Sequence, residues 1–562
     1  MPRSVTESAS SLFTSEFRSH PDRVLNLALV LFCVTFMIPR LASPQLGLLD
    51  DAVTVMAARS VLASPDQLWR IDAGTGRFRP AYWLFYTLIY ALGWDSPLFF
   101  FIMNTLVLCA CVLFLASVLR RLGLPPWPTF LSCGFFITST IVVENFYTLS
   151  KAEPVQLLFV ALAVYLAART AEAACLRRRA LAFLLITAAL AASMLTKETG
   201  VAMVLFASLA AIVSWPMKTA ESGRKAWRIS IFLLLTSLVA GLVFLLSLLA
   251  QGRTGLTEGS YTRQYVLAPS RFVSSLAILT VQILHGIPYL PVLVLCLGYL
   301  VLRRRLQWPR PLNYAIVWMA CWGTALLPWP HPLAYHLLLL HGGAAVFAGV
   351  AFHYLWEKAK PPRLRSRPVM ALLIGGSLVV AWLNAFTAGR KQLLIDQANA
   401  ELVDFLAGLP AGSKVHVDLP QPNEYVFEIN AHLHHLQGRR DIEIRYLQAP
   451  EVLREAADSR TYWVLPFLRT QLFPSVRCAV NEPDARARNE RARRLGDQGW
   501  EKLWQVRRRL VPVDIGLYRL TCPVVGTAGS FYCTAPRPLI ETRESVYGWT
   551  ILRWSKSAQR IH

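Results

Sequence analysis

The sequence predicts a polytopic α-helical membrane protein of about eleven spans, followed by a C-terminal soluble domain of α/β or α+β class. Three observations predict it. The chain is 54% apolar and only 16% charged, with a mean hydropathy of +0.41. Apolar runs recur through the first ~390 positions at the ~20-residue length that crosses a bilayer. Beyond them the pattern changes to alternating and amphipathic segments. This composition excludes an ordinary soluble chain, a disordered chain, a collagen-like repeat and a small disulfide scaffold.

Residues 1–23 form a short tail. Spans follow at 24–43, 97–119, 128–145, 153–168, 179–196, 198–215, 229–250, 283–302, 313–329, 333–356 and 368–388, each a continuous apolar run. Lys and Arg dominate the alternate connections 120–127, 169–178, 216–228, 303–312 and 357–367, which places these in the cytoplasm. The net charge of +23 is therefore mainly a topology signal and not a nucleic-acid footprint. With the N-terminus inside, residues 389–562 lie outside, in the periplasm of a bacterial inner membrane. The first apolar run has no small-residue cleavage site, so it reads as a retained span and not as a signal peptide.

The first outer connection, 44–96, is far longer than the others, and long loops in compact folds are usually functional. It opens on Leu49-Asp50-Asp51-Ala52, continues as an amphipathic helix to Leu62, and then carries Arg77-Phe78-Arg79-Pro80-Ala81-Tyr82-Trp83. Residues 80–94 are apolar enough to lie against the membrane surface, with Tyr82, Trp83, Tyr86 and Tyr90 at the interface. Asp50 and Asp51 read two ways: as a general base with a neighbour that tunes it, or as caps on the following helix. Arg77 and Arg79 offer rigid cationic forks suited to a phosphate, although arginines near an interface more often bind lipid head groups or snorkel.

Between the third and fourth spans lies Glu144-Asn145-Phe146-Tyr147-Thr148-Leu149-Ser150-Lys151-Ala152-Glu153-Pro154. Ser150 with Glu153 matches a capping box, which leaves Glu144 and Lys151 without a role. Thr196-Lys197-Glu198-Thr199 joins the fifth and sixth spans almost without a loop. Its charges complement the helix dipoles, yet ions at bilayer depth are expensive unless they border a wet cavity. Later outer connections add Arg253, Glu258, Tyr261, Arg263 and Arg271, then His331, Tyr335 and His336. His285 and His341 lie deeper and read as core histidines. Acids, cations and aromatics thus gather on one side of the bundle.

In the tail, Gly389–Leu409 reads as an amphipathic helix, Lys414–Leu419, Ile442–Leu447 and Tyr462–Pro466 as strands, and Glu451–Ala457 as a helix. His432, His434 and His435 fit no metal signature and read as a surface cluster. Cys478, Cys522 and Cys533 are either a Cys522–Cys533 disulfide with one thiol left over, or three reduced thiols. No Walker loop, dinucleotide fingerprint, nucleophile elbow or zinc-protease helix is present in the sequence.

These residues resemble the GT-C superfamily of integral-membrane glycosyltransferases, in the branch that holds protein O-mannosyltransferases and the lipid A aminoarabinose transferase. Members open the long first outer loop with an acidic pair, usually Asp-Glu; the matching positions are Asp50 and Asp51. Arg79-Pro80-Ala81-Tyr82-Trp83 is similar to that branch's Lys-Pro-Pro-Leu-Tyr-Tyr-Trp stretch, with Arg for Lys and one Pro lost. Ser150-Lys151-Ala152-Glu153-Pro154 and Leu195-Thr196-Lys197-Glu198 are similar to what the superfamily carries at those spans. The resemblance covers residues 1–390 and does not extend to the tail.

The resemblance implies an inverting transfer of a sugar from a polyprenyl-phosphate donor to an acceptor hydroxyl on lipid A, another glycan or a protein, at the periplasmic face. It implies residues 24–388 as the catalytic unit. It makes Asp50, and after it Asp51, the base, with or without a divalent ion and with no other cofactor. Around the donor phosphate it sets Arg79, then Lys197, then Arg77, Arg263 and His336. Tyr82, Glu144, Lys151, Glu153, Glu198 and His331 are further substrate contacts. Two other classes compete: a flippase for lipid-linked sugars, and a non-catalytic scaffold presenting the exported domain. No inverted repeat or broken midplane helix supports the former, and about eleven spans exceed what anchoring requires.

Overall fold

The computed structural model describes residues 20–48, 50–72, 77–121, 123–170, 175–217, 221–250, 269–286, 290–302, 308, 310–329, 334–358, 366–418, 424–446, 459–466, 500–510, 513–515, 518–521, 533–536, 540–542 and 545–554. The chain enters as α1 (His20–Ala42) and crosses to the long loop, which holds α2 (Asp51–Ala63) and α3 (Pro80–Gly93). The bundle continues with α4 (Pro97–Arg121), α5 (Pro126–Ile137), α6 (Thr140–Phe146), α7 (Ala152–Thr170) and α8 (Leu176–Thr196). It closes with α9 (Ala202–Ser214), α10 (Glu221–Ala250), α11 (Pro269–Gly286), α12 (Leu290–Leu302), α13 (Arg310–Leu326), α14 (Leu338–Lys358) and α15 (Ser366–Ala407).

Proline begins several of these helices, as expected where the first N–H needs no partner. Among the described residues seven helices are long and apolar enough to cross a membrane, eight if the bent pair α5–α6 counts as one span, against the eleven segments read from the sequence. The segment 128–145 is broken at Thr138–Ser139, where Ser139 Oγ caps α6 by accepting the Val142 N–H at 3.1 Å and the axis turns by 63°. Segment 198–215 opens as a 3₁₀ turn, Glu198–Val201, before α9. Segment 283–302 divides into the end of α11 and α12. Helices α5 and α14 approach so closely that a Cβ on Gly349 would collide with Ser132, the small-residue contact on which membrane bundles rely.

The amphipathic helix expected at 389–409 is not separate. It is the outer part of α15, which runs 42 residues without a break from the membrane into the tail. Gly389 does not interrupt it, because the bare Cα faces Tyr147, whose Cε1 would stand 2.9 Å from an added Cβ. The tail contributes β1 (Lys414–Val417), α16 (Glu424–Ala431), a π turn at His432–Leu436, β2 (Glu443–Tyr446), β3 (Thr461–Pro466), β4 (Trp500–Leu510) and β9 (Ser545–Trp554), with ribbons β5 (Val513–Ile515) against β8 (Ile540–Thr542) and β6 (Tyr518–Thr521) against β7 (Cys533–Pro536). The five-stranded sheet has the order β2-β1-β3-β9-β4. Strand β1 is parallel to β2 and β3, while β9 runs antiparallel between β3 and β4.

The expected strands at 414, 442 and 462 thus form, in an α/β arrangement. The helix expected at 451–457 and Cys522 of the expected disulfide lie outside the described residues. The apolar face of α15, with Leu402, Val403 and Leu406, packs on Val415, Val464 and Ile551 of the sheet. Asn399 of α15 fixes the register by accepting from Tyr547 Oη at 2.7 Å and Trp549 Nε1 at 3.0 Å, all buried.

Asn399→Ala strands both donors in the core and is expected to lower unfolding stability by about 1–3 kcal/mol. Chemical denaturation of the detergent-solubilised chain, followed by tryptophan fluorescence, checks it.

Candidate active site

The outer end of α1 fixes the start of the long loop. Arg40 in its last turn is fully buried and pairs with Asp396 of α15 at 2.9 Å. Its Nη2 also donates to the Gln45 carbonyl at 2.6 Å, and the guanidinium lies 4.0 Å over the Phe101 ring. The loop then turns so that the Gly47 N–H donates to Asp51 Oδ2 at 2.8 Å. A Cβ on Gly47 would stand 3.0 Å from Asp396 Oδ1 and 3.3 Å from Asp51 Oδ2, so the two carboxylates bracket this residue. Asp51 is buried, and its Oδ1 lies 3.4 Å from the Ser150 hydroxyl, which donates to it.

Asp50 is exposed and left-handed, with φ 65°. Ser150, facing Asp51 from the bundle, is also left-handed at φ 61°. Such strain in non-glycine residues persists only where the surroundings enforce it and gathers at functional sites. The capping reading of the acidic pair fails in detail: Asp50 stands at the N-cap of α2, but its side chain makes no cap hydrogen bond. That work is done by Glu428 of α16, whose carboxylate accepts the Ala52 N–H at 2.9 Å and the Val53 N–H at 3.3 Å. Burial pushes the Asp51 carboxyl up to about 6, against the Gly47 N–H, Lys151 and Arg40, and Asp50 adds to the rise. Burial, then Asp50 and Asp51, likewise raise Glu428 well above the usual carboxylate range, against the two N–H bonds it accepts.

The predicted capping box does not form either. Ser150 turns to Asp51, and Glu153 in the first turn of α7 forms a buried ion pair with Lys197. Gln156, one turn further on, donates to the Lys197 carbonyl at 3.0 Å and fixes that segment's backbone. Arg79 is bound in a fork by Asp72, Nε to Oδ2 at 3.1 Å and Nη2 to Oδ1 at 2.8 Å, and Trp83 Nε1 donates to the same carboxylate at 2.9 Å. Burial would raise Asp72, but the charge and bonds of Arg79 hold it below its ordinary value.

Tyr82 stands between the two halves. Its ring lies 4.9 Å under the Arg79 guanidinium, while its hydroxyl donates to the Ser150 carbonyl at 2.9 Å and lies 3.4 Å from Thr54 Oγ1. On the cationic side, Lys151 Nζ is 4.7 Å and Lys197 Nζ 6.0 Å from the Tyr335 ring, and the His336 ring is tilted against it with centroids 4.0 Å apart. Arg77, Lys151 and Lys197 all lie within electrostatic reach of His336, and Glu198 within reach of Arg79.

The structure therefore brings together Asp50, Asp51, Tyr82, Lys151 and Ser150, and beside them Arg77, Arg79, Glu153, Lys197, Glu198 and His336. Glu144 is buried in α6, where its carbonyl accepts the Thr148 hydroxyl at 2.6 Å. Arg263 and His331 lie outside the described residues. His432 is not a surface group as expected: it is buried, with Nε2 3.4 Å from the Gly47 carbonyl. His341 is a core histidine, its Nε2 3.2 Å from the Phe136 carbonyl. Among the described residues no three His, Cys, Asp or Glu side chains converge as a metal cradle.

Sequence reasoning missed Arg40, Asp72, Asp396 and Glu428. Arg40 had a signal, a charge inside an apolar run; the others act through contacts that no local pattern encodes. Inside the bundle an apolar cavity of ≈ 180 Å³ is lined by Phe136, Leu157 and Trp318, and by Leu119, Ala226 and Pro311 near the basic connections.

No protein-family model matches the chain, and no curated protein matches its sequence. Among solved structures the chain is similar to ArnT from Cupriavidus metallidurans bound to undecaprenyl phosphate, with 11% identity over 78% of this chain and 92% of that one and a TM-score of 0.46. It is similar to the archaeal oligosaccharyltransferase AglB from Archaeoglobus fulgidus, in complex with an inhibitory peptide and a dolichol-phosphate, with 11% identity over 94% and 77% of the two chains and a TM-score of 0.48. It is also similar to the S. cerevisiae protein O-mannosyltransferase Pmt1-Pmt2 complex bound to the sugar donor, with 19% identity over 48% of this chain and 38% of that one and a TM-score of 0.31.

Because folding raises Asp51 to about 6, the folded chain keeps a proton that the unfolded chain releases near pH ~4. Stability falls as pH rises between those values, and above them the Asp51 charge costs on the order of 3 kcal/mol. Asp51→Asn is expected to be more stable than the parent at pH 7.5 by up to that amount and equal to it near pH 4. Unfolding at the two pH values checks it, and an offset independent of pH contradicts it.

Proposed function

We propose that the chain is a membrane glycosyltransferase that moves a sugar, with inversion, from a polyprenyl-phosphate donor to an acceptor hydroxyl at the periplasmic face. The observation that carries the reading is the division of charge across Tyr82: a carboxylate pair on one side, and cations held by neighbouring acids on the other. Inversion at C1 requires the attacking hydroxyl and the departing phosphate to lie on opposite sides of the sugar, and a ring-sized partition between base and cations suits that.

Asp50 is the base. It is the exposed member of the pair, held left-handed and not engaged in capping. Asp51 is its buried neighbour, both of its oxygens engaged with the backbone and hydroxyl that shape the turn. As the C1–O bond breaks, negative charge grows on the phosphate, and cations already fixed there stabilise it most. Arg79 and Lys197 are fixed by Asp72 and Glu153; with Arg77, Lys151 and His336 they form the phosphate side, and Arg263 is assigned to it from the sequence alone. A donor dissolved in the membrane suits a compartment without nucleotide sugars, and the apolar cavity inside the bundle offers room for part of an isoprenoid chain.

In this reading the chain crosses the bilayer eleven times from a cytoplasmic N-terminus, and residues 389–562 form a periplasmic domain that covers the acidic pair and helps choose the acceptor.

Asp50→Asn is expected to lower transfer ~10²–10⁴-fold without loss of protein, and Lys197→Ala ~10²-fold through the lost phosphate cation. In a deletion strain carrying these variants, mass spectrometry of surface glycans and lipid-linked sugars should show missing product and accumulated donor. Normal glycans with Asp50→Asn remove the base assignment.

A further inference from the structure

We infer that Glu428 and His432 of the C-terminal domain are positioning residues that hold the 47–53 backbone, and with it Asp50 and Asp51, in place. Both act from more than 370 positions away in sequence, by bonds to that backbone and not to substrate. Glu428 takes the Ala52 and Val53 N–H groups, the orphan donors at the start of α2. His432 stands 3.4 Å from the Gly47 carbonyl, the residue whose N–H Asp51 binds.

The grip is reciprocal. Leu48 of the loop is buried in the apolar core of the C-terminal domain, beside Leu402 and Tyr425. Leu436, at the end of the π turn, packs on the loop's own cluster around Tyr82 and Tyr86. A π turn is rare and recurs at functional sites; here its two ends, His432 and Leu436, both reach the loop. The Arg40–Asp396 pair adds a third hold through α15.

Asp50 does not cap its own helix, and its left-handed backbone is unfavourable unless enforced. The tail supplies both the cap and the enforcement. Three acids meeting at one helix start is electrostatically adverse, and the positive end of α2 together with the two N–H bonds offsets it. The C-terminal domain is on this account a working part of the site and not only a cover. The consequence for transfer rests on the proposed role of Asp50; the clamp itself does not.

The test uses the full-length chain in detergent, with amide hydrogen exchange read by mass spectrometry, and the same variants returned to a deletion strain for surface-glycan analysis. Glu428→Ala is expected to raise exchange over 51–55 at least tenfold while β1, β3 and β9 keep their protection, and to lower glycan product at least tenfold. Glu428→Gln, which keeps one acceptor of the same length, restores more than half of both. Unchanged exchange over 51–55 in Glu428→Ala overturns the clamp, as does a rise spread evenly through the sheet, which marks a merely structural residue. A local rise with undiminished glycan product upholds the clamp and removes Asp50 from the reaction.

Discussion

Arg40 and Asp396 are both withdrawn from water, one at the end of the first membrane helix and the other on the last, and at 2.9 Å each is the counter-ion the other requires. Removing either leaves a buried charge uncompensated, a loss of roughly 3–5 kcal/mol in comparable pairs. The pair ties the loop that begins at Ser43 to a 42-residue helix that carries the sheet. Everything at the outer face hangs from that tie: Gly47 lies between Asp396 and Asp51, Asp51 bridges to Ser150, and Ser150 carries Tyr82 and through it Arg79. A site assembled from separated stretches of chain is thereby held to one geometry.

The cations beside Tyr82 follow the same logic. Arg79 and Lys197 each hold a carboxylate from a neighbouring segment, Asp72 and Glu153, and Lys151 lies over the Tyr335 face. In the proposed reaction such fixation leaves little reorganisation when charge develops, which is where preorganised donors act most strongly. It also explains how ions are tolerated close to the membrane. Each is matched by an opposite charge or an aromatic face.

What was legible in the sequence was what is locally encoded. Apolar runs gave the helices because hydropathy is a property of adjacent residues, and the length of the 44–96 loop marked it as the place to look for a site. The acidic pair, the Arg77–Trp83 stretch and Lys197 stood out as charges at membrane exits. What was hidden depends on distant contacts. The Ser150–Glu153 spacing fits a capping box, yet Ser150 turns left-handed toward Asp51 and Glu153 is taken by Lys197 from the link after α8. Glu428 looks like an ordinary helical carboxylate until the fold sets it on α2. The bend at Ser139 was missed because a hydroxyl inside an apolar run reads as tolerated in a helix when it is in fact a cap.

The proposed reaction requires that sugar leave its lipid carrier by in-line displacement. The direct measurement reconstitutes the purified chain in vesicles with the lipid-linked sugar pool of its host, follows release of polyprenyl phosphate, and assigns the anomeric configuration of the product by NMR. The predicted result is turnover with inverted configuration that ceases with Asp50→Asn. Movement of the intact lipid-linked sugar across the bilayer without turnover, or a product of retained configuration, would contradict it.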